Sequence, residues 1–173
     1  VGALGGDITV TGTDIKSLQR DRKIIRLCES FGANITHGAE GYRICSGRLR
    51  PIGINAENIP DLVPVLAVIA SGAKGKTEIH GISRLRLKES DRVLSVTSLI
   101  NSLGGCASAD ADTVCINGNG CLRGGEVNGF NDHRIVMAAA VASVICDHPV
   151  IINDAQAVGK SYPRFFEDFN RLG

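Results

Sequence analysis

Apolar and polar positions along this chain fall into two spacings, and turn residues mark where one gives way to the other. Val93, Val96, Leu99, Ile100 and Leu103 recur at three and four residues, the stripe of an amphipathic helix that Gly104-Gly105 closes. Ser90 is the candidate N-cap of that helix. "LVPVLAVIA" (62–70) is apolar throughout and, with Pro60 near its first turn, predicts a helix over about 60–70. Residues 53–58 read as a short extended piece and "GKTEIHGI" (75–82) as a strand. "CASA" and "TVCING" read as a hairpin around "DADT". A last helix is expected in "PRFFEDFNRL", with Phe165, Phe166 and Phe169 as core packing.

The pattern repeats. A shift of 72 residues lays "KSLQR" (16–20) on "KESDR" (88–92) and that on "KSYPR" (160–164), each Lys-x-x-x-Arg. The same shift aligns Tyr42 and Ile44 with Val114 and Ile116, and "NIPDLVPVLAVIAS" with "FNDHRIVMAAAVAS", setting Asp61 opposite His133. The unit is β-α-β-α-β-β, so the expected class is α/β (α+β) with repeated units. The first unit lacks its opening strand and most of a helix, and the last lacks its closing hairpin. The chain is therefore expected to be a piece of something longer, or to receive those elements from another chain.

Composition narrows the function. Among 173 residues, Lys plus Arg number 19 and Asp plus Glu 18, so no net field favours nucleic acid or an acidic membrane surface. The apolar runs fall short of the roughly 20 residues that span a bilayer. Six cysteines include no C-x-x-C pair, which predicts reduced thiols in a cytoplasmic protein and no metal site. "GNGCLRGG" (118–125) opens no helix in a nucleotide-binding pattern and reads as a loop.

Chemistry concentrates in "RLKESDR" (86–92), five charges in seven residues at a helix start. Cations there oppose the helix macrodipole by about 0.3–1 kcal/mol. A phosphate or carboxylate bound between Lys88, Arg92 and the free backbone N–H groups accounts for them. The plainer alternative is a solvated helix start, with Glu89 and Asp91 neutralising Lys88, Arg86 and Arg92 pairwise. The repeat favours the anion site, because equivalent positions converge on one end of a pseudo-symmetric fold. Asp61, Lys88, Glu89, Arg92, His133, Arg134 and Lys160 are then expected to share a surface. Asp61 and Asp132 also have an ordinary reading as helix caps, and His133 as a surface histidine. Lys16 and Arg20 receive no function.

"RLKESDR", "NDHR" and "AVGKSYPRFFEDF", in this order and spacing, resemble the C-terminal half of the 5-enolpyruvylshikimate-3-phosphate synthase family, along essentially the whole chain. The related UDP-N-acetylglucosamine enolpyruvyl transferases lack the "NDHR" signature and are the weaker match. The resemblance implies one of two domains, each of three β-α-β-α-β-β units about a pseudo-threefold axis. It implies transfer of the carboxyvinyl group of phosphoenolpyruvate to the 5-hydroxyl of shikimate 3-phosphate, without a cofactor or metal. By the same resemblance Asp61 matches a base near that hydroxyl and Glu89 a proton donor to the methylene carbon. Arg92, Arg134 and Lys160 match cations for phosphoenolpyruvate, Lys88 matches a contact to shikimate 3-phosphate, and His133 lines the site. Arg84 stands where some members have asparagine and is left out. The N-terminal half of the same enzyme is the implied partner, the complete enzyme is implied to be a monomer, and the chain alone is expected to be inactive. A non-catalytic module for phosphorylated ligands, and an RNA-binding relative of similar fold, are the alternatives. Near-neutral charge and the absence of tryptophan weigh against RNA.

Overall fold

A computed structural model describes residues 1–13, 18–38, 41–88 and 90–172. Lys16 and Glu89, both singled out above, lie outside the described residues. The middle unit has the expected order in full. β4 (Gly53–Asn55) leads through a 3-10 turn (Pro60–Leu62) into α2 (Val63–Gly72), then β5 (Gly75–His80). A second 3-10 segment (Ser83–Leu87) precedes α3 (Arg92–Ser102), and β6 (Ala107–Ala109) and β7 (Thr113–Gly118) form the hairpin. Its sheet runs β4-β5-β7-β6, with β4 parallel to β5 and the rest antiparallel.

The first unit contributes β1 (Asp7–Thr11), α1 (Lys23–Phe31), β2 (Asn34–Gly38) and β3 (Gly41–Cys45), in an antiparallel sheet β1-β3-β2. The last contributes β8 (Gly125–Val127), α4 (His133–Ala142), β9 (Val150–Ile152), a 3-10 segment (Ala155–Lys160) and α5 (Phe165–Asn170). β9 pairs with β8 alone among the described residues, in parallel.

Register confirms the duplication and corrects one part of it. Ile54↔Ile79 in β4–β5 recurs as Glu126↔Ile151 in β8–β9, 72 residues later on both strands. Ile44 of β3 likewise maps 72 residues on, to Ile116 of β7. Ile8, however, pairs with Ile44 as Thr77 pairs with Ile116, an offset of 69. The middle unit carries three more residues between strand and helix, and the 3-10 segment Ser83–Leu87 lies in that stretch.

α2 and α4 are buried nearly all round, which is why their sequences show continuous apolar runs rather than a stripe. α2 packs on α4, α3, β7 and β5. Leu66, Ile79, Val96, Leu99, Val114 and Ile116 are fully buried around it, each contributing about 1.5–3 kcal/mol by removal from water. β7 ends so close beneath α2 that a side chain at Gly118 would overlap the carbonyl oxygens of Ala70 and Ala73. The α2 helix runs two residues beyond the expected end, to Gly72. The aromatic residues of α5 depart from expectation: none is buried. Phe165 and Phe166 lie half-buried against Val136, Ala157 and Val158, and Phe169 stacks on Phe165 at 5.7 Å between ring centroids. Their helix caps the last unit instead of entering the main core.

Candidate anion site

Three helix beginnings meet at one place. Asp61 lies in the 3-10 turn that enters α2, Arg92 is the first residue of α3, and His133 and Arg134 begin α4. Each beginning carries the positive end of a helix dipole, so their convergence favours negative charge.

Arg92 occupies the centre. Its side chain is 1% exposed. Nε donates to Asp132 Oδ2 at 2.8 Å, Nη2 to Asp132 Oδ1 at 3.4 Å, and Nη1 to Asp61 Oδ1 at 2.5 Å. Asp132 is wholly buried. It also caps α4 by accepting from the Arg134 backbone N–H at 2.9 Å, and it accepts from Ser90 Oγ at 3.0 Å. Burial alone would raise the Asp132 pKa. The Arg92 hydrogen bond and the Arg134 backbone N–H outweigh that, and the carboxyl sits below its ordinary value of 3.8.

Asp61 is the more open carboxylate. Besides Arg92 it receives Lys88 Nζ at 3.2 Å and Arg134 Nη2 at 3.3 Å. Burial pushes its pKa up, but the hydrogen bond from Arg92 and the charges of Arg134 and Lys88 bring it below the ordinary value. Its side chain caps nothing, so the ordinary reading of Asp61 as a helix cap fails. Lys88 and Arg134 are each about a third exposed, and they form the solvent-facing rim. Lys160 Nζ donates to the Asn131 carbonyl at 2.5 Å, next to Asp132. Phe130 and Asn131 both have positive φ, 51° and 50°, a pair of unfavourable conformations that bend the chain into α4. His133 is buried at 8% exposure, not a surface histidine.

Four of the seven residues expected to meet are in direct contact, Asp61 with Lys88, Arg92 and Arg134, while Lys160 reaches the Asn131 carbonyl nearby. His133 lies beside them at the start of α4, and Glu89 falls outside the described residues. Two expectations need correction. Asp91, not Ser90, caps α3, its Oδ1 accepting from the N–H groups of Val93 and Leu94 at 3.1 and 3.3 Å. A carboxylate is the better partner for the positive end of the helix, and Ser90 turns instead to Asp132. Secondly, Lys88 does not sit at a helix beginning but at the C-terminal end of the 3-10 segment Ser83–Leu87, as Lys160 ends the segment Ala155–Lys160. A cation suits that end. Of the solvated pairings considered, Arg86 with Asp91 is present at 3.3 Å and exposed, whereas Lys88 and Arg92 turn to Asp61. Sequence reasoning treated Asp132 only as a cap, and missed the role of Ser90. An arginine in an otherwise apolar helix face demands a buried carboxylate, and that was the available signal.

Among the described residues no group of three His, Cys, Asp or Glu is placed to hold a metal ion. Nor is any described helix long and apolar enough to cross a membrane.

The arrangement of repeated units is that of the enolpyruvyl transferases. The enolpyruvyl transferase NikO from Streptomyces tendae superposes with a TM-score of 0.79 at 19% identity, covering 99% of this chain and 40% of that one, a likeness of fold. An EPSP synthase from Acinetobacter baumannii superposes with a TM-score of 0.87 at 27% identity, over 99% of this chain and 43% of that one. The family model for EPSP synthase (3-phosphoshikimate 1-carboxyvinyltransferase) matches residues 2–169, and the chain belongs to that family. A 3-phosphoshikimate 1-carboxyvinyltransferase of Clostridium kluyveri is 42% identical over 173 residues, covering all of this chain and 41% of the relative. One from Methanocorpusculum labreanum is 40% identical over 171 residues, covering 99% of this chain and 40% of the relative. The chain thus spans about two fifths of the length of these curated relatives.

Proposed function

We infer that this chain is the C-terminal domain of an enzyme that transfers the carboxyvinyl group of phosphoenolpyruvate to the 5-hydroxyl of shikimate 3-phosphate, releasing phosphate. The observation that carries the reading is Asp61, one carboxylate shared by Arg92, Lys88 and Arg134 where three helices begin. The reaction needs cations for two anionic substrates and a carboxylate among them, and this cluster supplies both.

The transfer is an addition followed by an elimination. The 5-hydroxyl oxygen bonds to carbon 2 of the enol while a proton adds to carbon 3. A proton then leaves carbon 3 as the bond from carbon 2 to the phosphate oxygen breaks. In this reading Asp61 takes the hydroxyl proton and Glu89 serves carbon 3. Arg92, Arg134 and Lys160 hold the phosphate and carboxylate of phosphoenolpyruvate, Lys88 reaches shikimate 3-phosphate, and His133 lines the pocket. Planar guanidinium groups suit both anions, and the cations offset charge developing on the departing phosphate. A low pKa makes Asp61 a weak base in the free domain. Substrate anions that draw Lys88 and Arg134 away would raise it toward working strength.

The relatives' greater length is consistent with an N-terminal domain that closes over this one, completes the site and excludes water. The complete protein is read as a cytoplasmic monomer that uses no cofactor and does not bind nucleic acid. The test is phosphate release from phosphoenolpyruvate with shikimate 3-phosphate present, using this chain alone and then mixed with a separately made preceding half. Release only on mixing supports the reading. Release by the chain alone refutes the shared site. No release from associated halves favours a module that binds phosphorylated ligands without turnover.

A further inference from the structure

Three Asn-Gly pairs occur in the chain: Asn117-Gly118, Asn119-Gly120 and Asn128-Gly129. In such a pair the glycine nitrogen can attack the asparagine side-chain carbonyl carbon, and no Cβ on the glycine obstructs it. The fold places the three pairs in different situations. Asn117 lies in the ladder of β7 opposite Lys76, its N–H donating to the Cys106 carbonyl at 2.9 Å. The strand holds that backbone extended, and Nδ2 reaches across to Cys106 Sγ at 3.7 Å. Asn119 folds into an Asx turn, with Oδ1 accepting from the Cys121 N–H at 3.3 Å. Its attacking nitrogen is engaged, however, because Gly120 N–H donates to the Ser71 carbonyl at 3.3 Å.

Asn128 combines what the other two lack. The residue is exposed, and its Oδ1 accepts from the Phe130 N–H at 2.7 Å. That hydrogen bond turns the amide back over the Gly129 peptide, and it is aimed at the oxygen on which negative charge develops during attack. Gly129 N–H has no acceptor among the described residues. Glycine is also compulsory at this position. A Cβ there would overlap the Asn153 carbonyl oxygen and lie 2.8 Å from Val136 Cγ2, so no bulkier residue can slow the attack. The chain then enters the anion site directly. Gly129 carbonyl accepts from the Asp132 N–H at 2.9 Å, the Asn131 carbonyl receives Lys160, and Asp132 holds Arg92 and caps α4.

We propose that Asn128 is a site of spontaneous covalent modification, closing to a cyclic imide with Gly129 and opening to isoaspartate, which loosens the entry to α4. Hydroxide removes the Gly129 amide proton, and the nitrogen bonds to Asn128 Cγ. The Cγ–Nδ2 bond breaks as the leaving nitrogen takes a proton from water, releasing ammonia and regenerating hydroxide. Water then opens the ring at either carbonyl. One opening gives aspartate; the other gives isoaspartate, in which the backbone runs through Cγ and gains a methylene. That lengthening falls just before the residues that place Lys160 and Asp132. The inference stands apart from the catalytic reading and survives its failure.

The folded chain, incubated at mildly alkaline pH, tests it. Isoaspartate is located by peptide mapping after labelling with an isoaspartate-specific methyltransferase. It is expected to accumulate at position 128 several-fold faster than at 117 or 119, and unfolding in urea should remove that preference by freeing all three nitrogens. Equal rates at the three positions of the folded chain overturn the proposal. So does a preference that persists unchanged in urea, since the fold then contributes nothing. Hydrogen exchange reads the consequence: the Arg134 amide, which donates to Asp132 Oδ1, should exchange several-fold faster in the aged chain. N128S cannot form the imide, while its hydroxyl can still accept from the Phe130 N–H, and aged N128S should keep its protection. Isoaspartate at 128 with unaltered Arg134 exchange, or equal loss of protection in aged N128S, refutes the link to α4.

Discussion

Arg92 and Asp132 form a buried ion pair that joins α3 to the start of α4, with Nε to Oδ2 at 2.8 Å and both side chains essentially inaccessible. Asp132 accepts from Ser90, Arg92 and the Arg134 backbone together, so one carboxylate holds the beginnings of α3 and α4 in register. Arg92 is left with Nη1 directed at Asp61, on the solvent side. The pair therefore orients a cation that would otherwise be mobile.

Breaking this pair removes the buried counter-charge of Arg92. D132N is expected to destabilise the chain by about 3–5 kcal/mol, since the inaccessible guanidinium then keeps only Asp61 as its carboxylate partner. Replacing both residues with apolar ones (R92M/D132L) should recover much of that loss. Urea unfolding of the two variants checks the difference.

Stability should fall in acid from these two carboxyls. Both Asp61 and Asp132 have folded pKa values below the ordinary 3.8. Each contributes stability that is fully present above the ordinary value and is lost as pH falls through the depressed folded value. Denaturation measured from pH 6 down to about pH 2 should show this loss, and D61N should flatten part of it. An unchanged acid limb in D61N would mean Asp61 is no better paired in the folded chain than in the unfolded one.

Asp61 competes with any incoming anion for Lys88 and Arg134. In D61N those cations lose their internal partner, and inorganic phosphate should bind the chain several-fold more tightly, read by calorimetry at low salt. In the complete enzyme the same change should lower kcat by two or more orders of magnitude, within the range general base catalysis supplies. Weaker phosphate binding in D61N would show that Asp61 organises the cations instead of occupying them.

The cap of α3 can be separated from its neighbour. D91A should cost about 1 kcal/mol and speed exchange at the Val93 and Leu94 amides. S90A should leave those amides protected, because its hydroxyl serves Asp132. Equal exchange in both variants would contradict the assigned cap.

Much of this was legible in the sequence because duplication supplies an internal alignment. The hairpin of β6 and β7, the stripe of α3 and the meeting of Asp61 with Lys88, Arg92 and Arg134 all follow from spacing plus symmetry. What escaped depends on side-chain direction. Ser90 and Asp91 are adjacent and both are good caps, and only the path of the chain decides which one faces the helix. The 69-residue offset at β1 was hidden because an insertion in a turn leaves both flanking patterns intact. The aromatic residues of α5 had the right period for a core, but a six-residue helix at the edge of the fold has little core to join.

β9 has consequences for keeping the isolated chain in solution. Its three residues pair on one side only among those described, and Ile151 is 61% exposed on that strand. A bare edge with an apolar side chain is a template for another copy's strand. Concentrated stocks should accordingly self-associate and scatter light on storage, and I151K should delay this by making strand-to-strand contact electrostatically unfavourable.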